Sequence, residues 1–251
     1  MPPDFHDLPD GRRIAYRFAS GSRPTLVFLP GYMSDMAGAK AQALFDWART
    51  HGRACLLLDY SGCGASSGGF AEGTLSRWRD EVLAVMTARI QGPVVLVGSS
   101  MGGWLMLLVA LGLPQGHCAG LIGIAAAPDF TEWGFDAAEK TKLGGGRTIY
   151  RSSAYSPEAT PTHARFWADG QRQLLLDGAI ALDCPVRLLH GQADADVPWE
   201  TSLRLAAALR SAQVQVTLVK DGNHRLSRPE DLALLIGAVH GLIAPSFYPN
   251  T

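Results

Sequence analysis

The segment VVLVGSSMGGW, residues 94–104, contains a G-x-S-x-G motif between a predicted strand and a predicted helix. Residues 94–97 are valine or leucine and favour a buried strand, whereas the apolar run that begins at Trp104 predicts a buried helix. In a sharp turn between the two, side chains at Gly98 and Gly102 would collide with neighbouring backbone. The motif therefore predicts that Ser100 projects its hydroxyl from this turn as a nucleophile.

Other short apolar runs alternate with amphipathic helical segments along the rest of the chain. The runs occupy residues 25–29, 54–58, 121–125, 186–189 and 214–219. Near-continuous apolar strands separated by helices predict an α/β fold with a doubly wound, mostly parallel sheet and right-handed crossovers. The turn signal Pro9-Asp10-Gly11 adds antiparallel strands at one edge of that sheet.

Residues 129–183 interrupt this alternation, because they show no strand pattern. A structureless loop of that length is improbable in a compact domain, so we expect a mostly helical insertion at the carboxyl edge of the sheet. The predicted organisation is a core of residues 1–128 and 183–251 with a helical cap, or lid, at 129–182. The glycines at 144–146 lack the features of a phosphate loop and favour a hinge in the cap.

Composition excludes several classes of partner. The chain has 251 residues, 47% hydrophobic and 18% charged, with a net charge of -1. No block of basic residues is present to bind nucleic acid or an anionic membrane surface. The longest apolar run, residues 104–113, is about half of the ~20 residues that a membrane span requires. Because the first residues lack a targeting pattern, a cytoplasmic protein is expected.

A nucleophilic serine needs a base and an acid, and the sequence offers both after the last two strands. His224 follows the predicted strand 214–219, whereas His190 ends the preceding strand and favours a structural hydrogen bond. Asp194 and Asp196 both follow that preceding strand and compete as the acid, and Asp221 is typical of a turn residue. Loops at the carboxyl ends of strands are where open α/β sheets place their sites.

Two backbone N–H groups are candidates for an oxyanion hole. One belongs to Met101, directly after the predicted nucleophile, and the other to Tyr32 in the loop after strand 25–29. Aromatic residues of the cap are candidates for covering an acyl chain, although each is also typical of cap core: Trp133, Phe135 and Trp167.

Four motifs carry a resemblance to a known family. They are residues 58–66 (LDYSGCGAS), 98–104 (GSSMGGW), 189–199 (LHGQADADVPW) and 223–225 (NHR). These motifs resemble those of the α/β-hydrolase superfamily, in particular the branch with palmitoyl-protein thioesterase and acyl-glucuronide esterase activities. The resemblance covers nearly the whole chain, is weakest in the cap, and implies Ser100 as nucleophile, Asp194 as acid and His224 as base. The chain departs from many members by Pro30-Gly31 in place of His-Gly.

The sequence therefore predicts a serine hydrolase that cleaves acyl esters or thioesters of a small molecule or an acylated protein. Carbon-carbon bond or peptide hydrolysis by the same residues is an alternative, as is a non-catalytic ligand-binding scaffold. No cofactor or metal site is expected: residues 59–68 lack the third glycine of a dinucleotide fingerprint. The four cysteines show no C-x-x-C pair and are expected to be free thiols.

Overall fold

An eight-stranded sheet flanked by helices forms the centre of the protein, in a computed structural model that describes residues 2–152 and 158–244. Its strands are β1 (Asp4–Asp7), β2 (Arg13–Ala19), β3 (Ser22–Leu29), β4 (Arg53–Leu58), β5 (Val94–Ser99), β6 (Cys118–Ile124), β9 (Val186–Gly191) and β10 (Val214–Val219). A separate two-stranded sheet consists of β7 (Ile149–Arg151) and β8 (Thr160–Thr162). The helices are α1 (Ala39–Thr50), α2 (Leu75–Arg89), α3 (Met101–Gly112), α4 (Phe130–Trp133), α5 (Ala137–Gly144), α6 (Ala164–Gly170), α7 (Glu200–Ala208) and α8 (Pro229–Ile243).

The strand order in the large sheet is β1-β2-β4-β3-β5-β6-β9-β10. β1 and β2 pair antiparallel at one edge, as the turn signal predicted. The other six strands of the sheet, β4-β3-β5-β6-β9-β10 in spatial order, are parallel to one another. The chain passes from β3 to β4 on one side and returns to β5 on the other side of β3. Such a reversal opens a crevice at the carboxyl ends of β3 and β5, where open α/β sheets bind ligands.

Helices cover both faces of the sheet, which explains why its strands are apolar on both sides. In β3, Val27 and Leu29 contribute to the core beneath α2 and α3, whereas Leu26 and Phe28 contribute to the core beneath α1 and α8. Because strand side chains alternate between faces, this two-sided burial removes the polar positions that a half-exposed strand would have. The doubly wound α/β fold predicted from the sequence is confirmed.

Helix α3 is buried along nearly its whole length, from Met101 to Ala110. This burial accounts for the apolar run that begins at Trp104, as the sequence predicted. Within the residues that the structure describes, no helix combines the length and apolar character needed to cross a membrane.

The segment between β6 and β9 contains three short helices, α4 to α6, and the β7–β8 hairpin. The prediction that residues 129–183 contain no strand is therefore wrong. Each strand of the hairpin has only three residues, too few for a clear alternation of side chains, and Pro161 lies within β8. Residues 153–157 of the predicted cap lie outside the described residues, and the cap boundaries stay a prediction.

Candidate active site

Ser100 lies in the turn between β5 and α3, with backbone angles of φ 55° and ψ -122°. A non-glycine residue adopts this region only under strain that the surroundings maintain. The two flanking glycines let the turn close: a Cβ on Gly98 would lie 2.3 Å from the Gly102 carbonyl oxygen. A Cβ on Gly102 would lie 2.1 Å from the Leu29 carbonyl oxygen. A side chain at either position would therefore collide with backbone, as the motif predicted, and the two glycines allow the turn that places Ser100 at the carboxyl end of β5.

His224 lies in the loop after β10 and contacts both other predicted members of the site. Its Nε2 is 3.0 Å from the Ser100 Oγ, and its Nδ1 is 2.8 Å from the Asp194 Oδ2. The imidazole is mostly buried, with 15% of its side chain exposed. With Nδ1 protonated and donating to the carboxylate, Nε2 is free to accept the serine proton. The structure therefore brings together three residues that are remote in the sequence.

The Asp194 carboxylate is fully buried and saturated with hydrogen bonds. Its Oδ1 accepts from the backbone N–H groups of Asp196 and Val197, both at 2.9 Å. Burial alone raises the pKa of Asp194, but hydrogen bonds from His190 and His224 outweigh it and hold the pKa well below its usual range. Asp194 is therefore an anion at neutral pH, placed to stabilise a positive charge on His224.

Asp196, the competing acid candidate, is exposed and contributes its backbone N–H to Asp194. Asp221 is also exposed. Of these three carboxylates, Asp194 is the one that is hydrogen-bonded to His224.

His190 is completely buried and acts as a support for the acid. Its Nε2 lies 3.2 Å from the Asp194 Oδ2 and 3.1 Å from the Val197 carbonyl oxygen, while its Nδ1 lies 2.7 Å from the Ser202 Oγ. These contacts fit the structural hydrogen-bonding role predicted for it and orient the carboxylate toward His224.

The two predicted oxyanion donors belong to the residue after Ser100 and to the loop after β3. Met101 is the first residue of α3, where backbone N–H groups have no acceptor within the helix. The loop after β3 is also close to the nucleophile: a Cβ on Gly31 would lie 3.4 Å from the Ser100 Cβ. Among the hydrogen bonds of the described residues, the N–H groups of Tyr32 and Met101 have no acceptor. Both are therefore available to a developing negative charge.

The Tyr32 side chain connects this loop to the segment between β6 and β9. Its hydroxyl donates a hydrogen bond of 3.0 Å to the Pro161 carbonyl oxygen in β8. Burial raises the pKa of Tyr32, so the hydroxyl stays protonated and remains a donor. Its ring contacts four other aromatic residues at centroid distances of 4.8–6.3 Å: Phe70, Trp78, Phe130 and Phe166. The sequence did not single out this cluster, since its members are spread along the chain.

The three predicted pocket residues have contacts within the segment between β6 and β9. The indole N–H of Trp133 donates to the Pro128 carbonyl oxygen, and that of Trp167 donates to the Thr131 carbonyl oxygen. Phe135 is buried in a small apolar cluster of the same segment. These contacts account for all three residues as packing of the cap, and a pocket-lining role stays a prediction.

Lys40 in α1 is a second feature that the sequence did not reveal. Its ammonium donates a hydrogen bond to the carbonyl oxygen of Arg225, the residue that follows His224. Burial and then the positive charge of Arg225 lower the pKa of Lys40 to about 8, against the opposing effect of Asp231. The lysine thus fixes the backbone of the loop that carries the base.

Asp194, Asp196 and His224 place one potential metal ligand each within 4.8 Å of one another. However, Asp194 and His224 bond to each other, and the second nitrogen of His224 faces Ser100. The potential metal-ligand atoms of Asp194 and His224 are therefore already engaged in the chain of hydrogen bonds from the carboxylate to the Ser100 hydroxyl.

Comparisons with known proteins find relatives in both sequence and structure. The chain is 38% identical over 245 residues to palmitoyl-protein thioesterase ABHD10 from Homo sapiens, covering 95% of this chain and 79% of the relative. The structure of mouse alpha/beta hydrolase domain-containing protein 10 matches with a TM-score of 0.90 at 36% identity, covering 97% of this chain and 98% of that one. A crystal structure from Agrobacterium vitis S4 matches with a TM-score of 0.89 at 37% identity, covering 97% and 100%.

These relatives contradict the expected cytoplasmic location. The ABHD10 relatives from Homo sapiens, Pongo abelii, Mus musculus, Bos taurus and Rattus norvegicus are all named mitochondrial. The expectation was wrong: it relied on the lack of a targeting pattern in residues 1–7, whereas five relatives that match 94–95% of this chain are named mitochondrial.

The family assignment rests on both sequence and structure. The model of the alpha/beta hydrolase family matches residues 26–234, a span that contains β5, the turn at Ser100 and the loops that carry Asp194 and His224. The relatives named above match nearly the whole chain at more than one third identity. The chain therefore belongs to the alpha/beta hydrolase family and is a hydrolase.

Proposed function

We propose that this protein is a serine hydrolase that cleaves acyl thioesters and esters through a covalent acyl-enzyme. The observation that carries the proposal is the continuous hydrogen-bond chain from Asp194 through His224 to the Ser100 hydroxyl. A serine hydroxyl at its ordinary pKa is a weak nucleophile, and a neighbouring imidazole held by a carboxylate is the arrangement that activates it.

In the first half of the reaction, the Nε2 of His224 takes the Ser100 proton while Oγ attacks the acyl carbonyl carbon. The carbonyl oxygen becomes an oxyanion, which the N–H groups of Tyr32 and Met101 stabilise by hydrogen bonds. The Met101 N–H also lies at the amino end of α3, where the helix dipole favours negative charge. The charge of Asp194 stabilises the imidazolium that forms during the transfer.

His224 then gives the proton to the departing thiol or alcohol, and the acyl group remains on Ser100. In the second half, water attacks the acyl carbonyl carbon while His224 takes its proton, and His224 returns that proton to the Ser100 Oγ as the acyl–Oγ bond breaks and the acid leaves. A thiol has a pKa of about 8.5, far below that of an alcohol, so a thioester depends less on protonation of its leaving group.

The proposed action on thioesters is supported by the relatives that are named palmitoyl-protein thioesterase. The match covers 79% of the length of the Homo sapiens relative. An acyl group carried by a cysteine side chain would make an acylated protein the substrate. Depalmitoylation is therefore the first reaction to assay, followed by acyl-glucuronide hydrolysis as the oxygen-ester counterpart.

The experiment compares Ser100→Ala with Ser99→Ala on a matched panel: an S-palmitoyl peptide, the corresponding oxygen ester and the corresponding amide. Ser99 is the buried neighbour at the end of β5 and serves as the control. For Ser100→Ala we expect kcat to fall on the order of 10⁴- to 10⁶-fold, with Ser99→Ala retaining most activity. Retained turnover in Ser100→Ala, or an amide cleaved faster than the thioester, would overturn the proposal.

A further inference from the structure

Two cysteines outside the active site form a close pair. The Sγ atoms of Cys118 and Cys184 are 3.5 Å apart, and both residues are partly exposed. The other two cysteines of the chain, Cys55 and Cys63, are buried in the core. Of the four thiols, therefore, only this pair combines mutual contact with access from solvent.

The backbone sets this proximity. Cys118 begins β6, and Cys184 lies two residues before β9, the neighbouring parallel strand. The ladder between these strands pairs Leu121 with Val186, so both cysteines lie at the amino ends of adjacent strands. The two thiols are thus held together by the sheet itself, although 66 positions separate them in the sequence.

The two sulfurs share a hydrogen bond in which either can be the donor. The thiolate is the nucleophile in thiol–disulfide exchange. Whichever cysteine reacts first, the other is in contact with the sulfur that has reacted, which is the position of a resolving thiol.

We propose that Cys118 and Cys184 are a reversible oxidation site, converted to an intramolecular disulfide by a small disulfide such as oxidised glutathione. The thiolate of one cysteine of the pair attacks one sulfur of the small disulfide, breaks its S–S bond and releases one thiolate. The other cysteine then loses its proton, attacks the protein sulfur of the mixed disulfide and releases the second thiolate. The protein gives up two protons and two electrons, and the small disulfide is reduced to two thiols.

The disulfide would close a loop that contains the whole segment between β6 and β9, including the Tyr32 contact at Pro161. Closing a loop of this length restricts the unfolded chain, so the Tm is expected to rise by roughly 5–15 °C. Both cysteines lie at the amino ends of their strands, whereas Ser100 follows the carboxyl end of β5. Hydrolysis is therefore expected to change by less than about twofold, because the reacting groups do not move.

The test treats the reduced full-length protein with oxidised glutathione and then alkylates the remaining thiols under denaturing conditions. We expect two of the four cysteines to become protected, a disulfide-linked peptide that contains Cys118 and Cys184, and a higher Tm that reducing agent reverses. In Cys118→Ser and in Cys184→Ser, glutathione should remain attached to the remaining cysteine of the pair, since the resolving thiol is gone. Cys63→Ser should behave as the unaltered protein.

The peptide map of the unaltered protein decides the outcome even if a variant fails to fold. Four alkylated cysteines after treatment would overturn the proposal, as would a persistent mixed disulfide. A disulfide that includes Cys55 or Cys63 would do the same.

Discussion

Gly191 and Gly222 meet backbone to backbone: a Cβ on Gly191 would lie 2.1 Å from the Gly222 carbonyl oxygen. This contact joins the end of β9 to the loop after β10. Next to it, the N–H of Ala193 donates a 2.9 Å hydrogen bond to the same Gly222 oxygen. The loops after β9 and β10 carry Asp194 and His224, so the short distance between acid and base depends on an approach that any side chain at Gly191 would prevent.

Replacing Gly191 by alanine should separate the two loops. We expect a loss of about 1–3 kcal/mol in the free energy of unfolding, because the added methyl meets backbone that cannot move aside cheaply. Activity should fall as well, since the Asp194–His224 hydrogen bond is strained. Urea unfolding and kcat measure the two effects.

Gly237→Ala is the matched control, because a Cβ there has nothing within 4 Å and the residue is inside α8. It should gain about 0.5–1 kcal/mol from helix propensity and leave kcat unchanged. If Gly191→Ala and Gly237→Ala had the same free energy of unfolding and the same kcat, the close contact between Gly191 and Gly222 would be contradicted.

Asp194→Asn should lower kcat on the order of 10⁴-fold, because the amide no longer holds a negative charge beside the imidazolium. Asp196→Asn should retain kcat within about threefold, since Asp196 contributes its backbone N–H and its side chain is exposed. Steady-state kinetics of both variants distinguish the two candidate acids. The reverse order of effects would assign the acid to Asp196.

Tyr32→Phe should lower stability by about 1 kcal/mol, because the Pro161 carbonyl loses its hydrogen-bond donor while the ring remains. Its kcat should stay within about threefold of the unaltered protein, since the proposed oxyanion donor is the backbone N–H. Tyr150→Phe, at a side chain in β7 that is 68% exposed, is the control and should change neither quantity. If Tyr32→Phe lost as much activity as Ser100→Ala, the hydroxyl and not the backbone would be the donor.

Lys40 should make stability depend on pH in the alkaline range. Its pKa is lowered to about 8 in the folded protein from 10.5, so the unfolded chain binds its proton more tightly. Between about pH 8 and 10.5 the unfolded chain holds this proton and the folded protein does not, so the free energy of unfolding should increase as the pH rises. Lys40→Met should remove that increase, whereas Lys142→Met, at an exposed residue of α5, should preserve it. The measurement is the Tm of the three proteins across that pH range, and identical pH profiles would refute the burial of Lys40.

The fold was predictable from the sequence because its signals are local. A continuous apolar strand, two glycines around Ser100 and an apolar helix occupy residues 94–112, and steric exclusion ties these features to one turn geometry. The turn before β2 and the alternation of strands and helices are equally local.

The choice between Asp194 and Asp196 was not local. Both follow β9, and the resemblance rather than their spacing favoured Asp194. What separates them in the structure is the hydrogen bond to His224, 30 positions away. The Asp194 carboxylate is oriented by the backbone N–H groups of Asp196 and Val197. The sequence does not show that this orientation directs the carboxylate to His224.

Other features depend on contacts between remote parts of the chain. The hydrogen bond between Tyr32 and Pro161 spans 129 positions, and that between Lys40 and Arg225 spans 185. Hydrophobic periodicity records which face of an element is buried, but not which remote residue covers it. The hydrogen bonds that Tyr32 and Lys40 make to the loops of the site could therefore be identified only in the structure.

The central claim is that Ser100 is the activated nucleophile, and covalent labelling tests it most directly. The purified protein is incubated with a fluorophosphonate, which reacts with activated serines, and its mass and labelled peptide are determined. We predict one adduct, on the peptide that contains Ser100, equal labelling of Ser99→Ala, and none in Ser100→Ala. An adduct on another residue, or unchanged labelling in Ser100→Ala, would contradict the account.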